Sequence, residues 1–176
     1  YDHNANTALF KLGCLTKEYA ASYAWDSQGN LVSLSKPDGV MLEYEYYSNG
    51  VDLREKDTLG NGTFTYDYDS HHNVTKIVND GLQTLLAYDA CGNVLTRTLT
   101  NGSGLQMSSI YSYTNNGNLL ASETDTRGKI TSYSYDNDIS THTGQPTGIT
   151  DPRGTNRTIR YDTGNGRQAS TWISGY

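Results

Sequence analysis

An all-β chain of tandem antiparallel hairpins, joined into a continuous twisted ribbon, is what this 176-residue sequence predicts. Three observations carry the prediction. An aromatic residue followed by a polar one and, three or four positions on, by Gly-Asn recurs along the chain; apolar residues alternate ahead of each such anchor; and helix signals are nearly absent. The copies are YDHNAN at Tyr1, WDSQGN at Trp25, YYSNG at Tyr46, YDSHHN at Tyr68, YDACGN at Tyr88, YTNNGN at Tyr113, YDNDIS at Tyr135 and YDTGNG at Tyr161. Successive anchors lie 24, 21, 22, 20, 25, 22 and 26 residues apart. A period this sustained marks a repeat architecture, so residues 1–176 are expected to form a single segment of about eight repeats.

The first strand of each unit ends on the anchor. Leu42-Tyr44-Tyr46, Phe64-Tyr66-Tyr68, Leu86-Tyr88, Tyr111-Tyr113, Tyr133-Tyr135 and Ile159-Tyr161 are spaced by two, which places each set on one face of a strand. Asp, Ser, Asn and Gly follow, residues that tolerate left-handed backbone and cap turns with their own side chains. Gly29, Gly50, Gly92 and Gly117 occupy one place in that turn. Short apolar-polar segments then run out from it, as in residues 31–34, 74–78, 94–99 and 119–121. A second turn, marked by Asp38-Gly39, Asp57 to Gly60, Asp80-Gly81, Asp125 to Gly128 and Asp151 to Gly154, closes each unit. A period near 22 holds two strands and two turns with no room for a crossover helix, so the sheet must be antiparallel. The strongest helix signal is the recurrence of Leu9, Leu12, Leu15 and Tyr19 within residues 6–23, but the repeat context favours an irregular first hairpin there.

Composition narrows the function classes. Leu, Ile, Val and Phe total 31 of 176 residues, few enough to suggest disorder. A net charge of −6 is too small to hold the chain open, and 15 Tyr and two Trp supply large amphipathic rings. The core is therefore expected to be built from tyrosine, in a thin sheet, because each phenol must reach a hydrogen-bond partner or water. Scattered charge, with 13 basic against 19 acidic residues, lacks the cationic stripe that nucleic acid requires. No run of residues is apolar enough to span a bilayer. The chain opens at Tyr1-Asp2 without a methionine, which is expected of a piece of something longer. Cys14 and Cys91 do not make a dense disulfide pattern and read as two small buried residues.

Strings such as YDACGNVLTRT, YTNNGNLLASETDTRGKITSYSYD and ITDPRGTNRTIRYD resemble the YD repeats of the RHS family, found also in insecticidal Tc toxin complexes and in teneurins. The resemblance covers essentially the whole chain. It implies a ribbon that forms part of a YD/RHS shell, secreted or at the cell surface, with flanking shell repeats as partners. Bacterial members enclose a C-terminal toxin and teneurin shells support adhesion; the lack of paired cysteines favours a bacterial member.

Candidate chemistry is weighed against that frame. Asp151-Pro152-Arg153-Gly154 resembles the DPxG sequence beside a self-cleaving aspartyl site in bacterial relatives, but a further YD unit follows it and an ordinary turn is expected. Asp67 and Asp69 share a strand face and could form a carboxylate pair, yet both stand at repeat positions. His71-His72 beside Asp69 reads as a solvated turn and not as a metal site. The sequons at Asn61, Asn73, Asn101 and Asn156 match what composition alone would scatter. No catalytic, cofactor or metal residue is assigned. The residues singled out are a structural signature: Trp25, Gly29, Tyr46, Gly50, Tyr68, Tyr88, Asp89, Gly92, Tyr113, Gly117, Tyr135, Asp136, Tyr161 and Asp162. The functional expectation is a non-enzymatic shell segment that encloses or displays another polypeptide, such as a toxin. The alternative is a carbohydrate- or cell-surface-binding adhesion module, in which exposed Tyr and Trp would stack on a surface glycan.

Overall fold

The computed structural model describes residues 21–58, 62–114, 119–135, 144–162 and 166–174. Fourteen strands follow one another. They are β1 (Ser22–Trp25), β2 (Leu31–Ser35), β3 (Met41–Tyr46), β4 (Leu53–Thr58), β5 (Gly62–Tyr68), β6 (Val74–Asn79), β7 (Leu82–Tyr88), β8 (Val94–Thr100), β9 (Gln106–Tyr113), β10 (Leu120–Thr124), β11 (Ile130–Ser134), β12 (Gly148–Thr150), β13 (Asn156–Tyr161) and β14 (Gln168–Ser174). Their order in the sheet is their order in the chain. Among the described residues there is no helix. Of the segment with helical spacing, Tyr23 lies in β1 and residues 6–20 are outside the described residues, as is Cys14.

Two compact units are distinguished, Tyr1–Leu85 with Thr100–Gly104, and Leu86–Leu99 with Leu105–Tyr176. In the first, Leu34 faces Leu42, Leu42 faces Thr58, Tyr44 faces Lys56, Lys56 faces Phe64 and Tyr66 faces Ile77. Directly opposed residues share a face, so the aromatic and aliphatic residues collect on one side. Ser33, Glu43, Asp57 and Thr63 share the other. In the second unit Tyr133, Ile149 and Arg157 line one face. A row from Ser112 through Ser122, Ser132, Thr150 and Asn156 to Ser174 crosses six strands on the opposite face.

The core is as thin as the composition implies. Among the described apolar residues only Leu42 and Ile159 are buried, while Tyr44, Tyr46, Tyr66, Tyr68, Tyr88, Tyr111, Tyr113, Tyr133, Tyr135 and Tyr161 are all half-buried. Their cross-strand neighbours are not other tyrosines alone: Tyr44 faces Lys56 and Tyr66 faces Ile77.

A feature invisible to periodicity recurs at the anchors. The register slips by one residue where Trp25 meets Leu31, Tyr46 meets Leu53, Tyr68 meets Val74, Tyr113 meets Leu120 and Tyr161 meets Gln168. Each slip is a β-bulge, which bends the strand and raises its local twist. It lets the ring of the anchor and the first residue after the turn stay on the same face despite the extra residue.

The expected second class of turns holds at Asp80-Gly81 and needs correction elsewhere. Asp57 and Thr58 belong to β4, where Asp57 faces Glu43 and Thr63, and do not open a turn; residues 59–60 are outside the described residues. Asp80-Gly81 makes a two-residue hairpin loop between Asn79 and Leu82, with φ of 48° and 79°, the left-handed pair of a type I′ turn. Asp125 to Gly128 and Asp151 to Gly154 form turns of the same kind as the anchors and not a separate kind. Cys91, expected to be buried, is exposed within the turn opened by Asp89.

Candidate functional site

The repeated chemistry resides in the turns. Asp26 accepts two backbone N–H groups on Oδ1, from Gln28 and Asn30, and the Asn30 amide on Oδ2. Asp69 does the same with His71 and Asn73, and Asp89 with Cys91 and Asn93. Asp125 and Asp151 take the two backbone N–H groups, from Arg127 and Lys129 and from Arg153 and Thr155. The aspartate N–H bonds the carbonyl four residues on, and the fourth residue of the turn bonds back to the aspartate carbonyl, as in Asp26 to Asn30 and Gly29 to Asp26. This is a type I turn closed by a left-handed residue. Gly29, at φ 88°, and Gly92, at 85°, stand at that left-handed place without steric cost.

Donors gathered on a carboxylate favour its charged form. Hydrogen bonds from the side chain and backbone of Asn73 hold Asp69 below the usual carboxylate range, and Asn93 does so for Asp89. Backbone N–H groups, led by those of Asn30, Lys129 and Thr155, lower Asp26, Asp125 and Asp151 respectively.

The anchor tyrosines act as cross-strand staples. The Tyr46 phenol donates to the Leu31 carbonyl at 3.0 Å, Tyr113 to Val94 at 3.0 Å, Tyr135 to Leu120 at 2.8 Å and Tyr161 to Pro146 at 2.8 Å. Tyr68 meets the backbone of Leu53. At Leu31, Leu53 and Leu120 the residue reached is the one at which the preceding hairpin's register slips. Burial raises the Tyr46, Tyr68, Tyr113 and Tyr135 phenols above their ordinary value, so they remain neutral donors.

Of the signature residues, Trp25, Tyr46, Tyr68, Tyr88, Tyr113 and Tyr161 end strands, and Tyr135 directly follows β11. Gly29, Gly50 and Gly92 are left-handed, and Asp89 and Asp162 open turns. Gly117 and Asp136 are outside the described residues.

One place in the first unit departs from the repeat. A shallow groove of about 500 Å³ is lined by Tyr47, Ser48, Asn49, Asp52, Asp67, Tyr68 and Asp69. Tyr47 replaces the turn-opening aspartate, and its phenol bonds the Tyr66 carbonyl and Asp67 Oδ1. Its ring meets Tyr68 edge-on at 6.2 Å. Asn49 takes over the capping, accepting the N–H groups of Val51 and Asp52 and donating to Asp52 Oδ2. Asp52, buried at 8% exposure, is paired with His72 Nδ1 at 2.8 and 3.0 Å. That hydrogen bond is the main reason its carboxyl lies below the usual range. Sequence reading missed Asp52. The available signal was that Asp52 immediately precedes Leu53, as Asn30, Asn73 and Asn93 precede Leu31, Val74 and Val94.

The other candidates resolve into scaffold contacts. Asp69 spends both oxygens on its own turn, while Asp67 accepts Tyr47 and lies 3.8 Å from Lys76 Nζ. Asp151 is likewise bound into a turn. Among the described residues no three His, Cys, Asp or Glu gather as metal ligands, and no helix is long and apolar enough to cross a membrane.

Residues 68–104 match the family described as RHS Repeat. No curated protein matches the chain. The fold is similar to crystal structures of TcdB2-TccC3: one with Cdc42 at 12% identity and a TM-score of 0.57, and one without the hypervariable C-terminal region at 11% and 0.57. Each likeness covers 87% of this chain and 10% of the other, so the chain spans about a tenth of the structures that it matches.

Proposed function

We propose that this chain, whose residues 68–104 match the RHS Repeat family, is a YD/RHS-repeat segment that carries load in a secreted shell enclosing or displaying another polypeptide, such as a toxin. The carrying observation is that, among the described residues, the same turn and the same phenol staple return in successive hairpins. A catalytic pair belongs in one copy; here carboxylates and phenols are spent on backbone groups in copy after copy. This favours a structural role. Each hairpin is marginal alone and gains stability from its neighbours, so a long array supplies a wall. The TcdB2-TccC3 likeness supports the ribbon fold, and the enclosed polypeptide rests on the resemblance to the YD/RHS repeats.

The adhesion alternative receives less support, since the anchor tyrosines Tyr46, Tyr113, Tyr135 and Tyr161 are half-buried with their phenols bonded to backbone carbonyls, although the Trp25 ring is exposed. Mild proteolysis of the complete protein that carries this segment tests the reading. A polypeptide that resists protease until the repeats are opened by Asp69→Ala with Asp89→Ala is the expected result. Complete digestion of everything except the repeats in the wild type, together with a saturable glycan signal lost in Tyr47→Ala, would overturn it in favour of adhesion.

A further inference from the structure

Successive anchor turns in the first unit dock on one another. Asn30, the last residue of the turn between β1 and β2, donates Nδ2 to the Gly50 carbonyl in the next turn at 3.0 Å. A Cβ at Gly50 would collide with Gln28 Oε1, so the two turns are in direct contact. The same two places are filled differently one step along the ribbon. Asp52 ends the turn between β3 and β4, and His72 holds the left-handed position of the turn between β5 and β6, at φ 64°.

Neither residue is required by its own turn. Glycine fills the left-handed place at Gly29 and Gly92, so the histidine carries a backbone strain that glycine avoids. Asparagine ends the turns at Asn30, Asn73 and Asn93, so a carboxylate there is a departure too. Together they set His72 Nδ1 at 2.8 and 3.0 Å from both oxygens of a buried carboxylate, with Asn49 Nδ2 at 2.7 Å as its other support. The geometry points to a charge-dependent clasp: protonation of the His72–Asp52 pair sets how firmly the β5–β6 turn is held to the β3–β4 turn.

With the imidazole protonated and the carboxylate ionised, the hydrogen bond is charge-assisted and at its strongest. Acid protonates Asp52 and removes its charge. Without its second proton the imidazole is at most a neutral donor to the carboxylate. The titratable groups that line the groove with Asp52 are Tyr47 from the first turn, Tyr68 and Asp67 from β5, and Asp69 from the second turn, and the Asp52 charge acts on Tyr47 and Tyr68. Asp69 is saturated by N–H groups and has His71 beside it, Asp67 has Lys76, and Arg54 on β4 pairs with Glu45. No other cation in that set reaches Asp52, so the clasp depends on His72.

Amide hydrogen exchange of the full chain from about pH 3 to about pH 9 tests this, each rate divided by its intrinsic value. In the wild type, protection of residues 47–52 and 69–73 is expected to pass through a maximum and fall about tenfold on either side. The turn at residues 151–155 serves as the reference for general acid loosening. His72→Gln keeps a donor without a titratable charge and should flatten the alkaline side; Asp52→Asn should abolish the maximum. A wild-type profile parallel to that of the reference turn would overturn the clasp, and so would a His72→Gln profile identical to the wild type.

Discussion

At the scale of single residues, the side chains that matter are those that finish backbone hydrogen bonds. Tyr113 joins a half-buried ring to a phenol that donates to Val94. Tyr113→Phe keeps the ring and should lose about 1 kcal/mol, the net worth of one hydrogen bond. Tyr113→Ala should lose about 3 kcal/mol, as large-to-small changes do. Denaturant unfolding of both variants separates phenol from ring. Tyr133 offers a second measurement. Burial and then the 2.7 Å hydrogen bond to Glu123 Oε1 push its phenol up to about 12. Its folded value exceeds its unfolded one of 10.0, so its contribution is complete below pH 10 and lost as the pH rises through 12. Absorbance titration should show one late-ionising tyrosine that moves earlier in Glu123→Gln.

Among the elements, turns and bulges set the register and the strand faces follow from it. The cost of this arrangement is visible on the polar face of the first unit, where Glu43 stands opposite Asp57 and Glu45 opposite Glu55. Like charges directly opposed across strands are destabilising. Arg54, the residue left over by the bulge, pairs with Glu45 and offsets one of these contacts; Asp57 has a hydrogen bond from Thr63 Oγ1 but no basic partner on that face. Glu43→Lys should therefore stabilise the chain by roughly 0.5 kcal/mol, the scale of a cross-strand pair. A double-mutant cycle with Asp57→Asn should cancel most of the gain. The sequence alone shows these as four unremarkable acids, because opposition depends on the slip at Glu45/Tyr46.

For the molecule as a whole, the repetition of one turn makes stability depend on pH collectively. Asp26, Asp69, Asp89, Asp125 and Asp151 all have depressed values in the folded chain. A depressed folded value means stability that is present above the unfolded value of 3.8 and lost as the pH falls through the folded ones. Thermal unfolding should accordingly hold steady down to about pH 5 and then fall steeply, and Asp89→Asn should make that fall shallower. An open sheet also has ends. Among the described residues of this segment β14 pairs with β13 alone and exposes Trp172 and Ile173, and in the isolated segment such an apolar edge is a template for another chain. Self-association that rises with concentration is expected in light scattering, and Ile173→Lys should suppress it.

The sequence by itself determined the all-β class, the places of the turns, the face on which each tyrosine stands and the family resemblance. These depend on local facts: a period of two, and Asp, Asn and Gly at positions where the backbone reverses. It also made the anchors recognisable as one signature, although it divided the turns into two kinds where the hydrogen bonds show a shared form at Asp26, Asp125 and Asp151. Only the tertiary structure decided the bulges at Trp25, Tyr46, Tyr68, Tyr113 and Tyr161, the phenol staples from Tyr46 to Leu31 and from Tyr113 to Val94, and the pairing of Asp52 with His72. Those contacts join residues 15 to 20 positions apart. Their partners are selected by the register between strands, which a one-residue slip changes and which no property of either residue records.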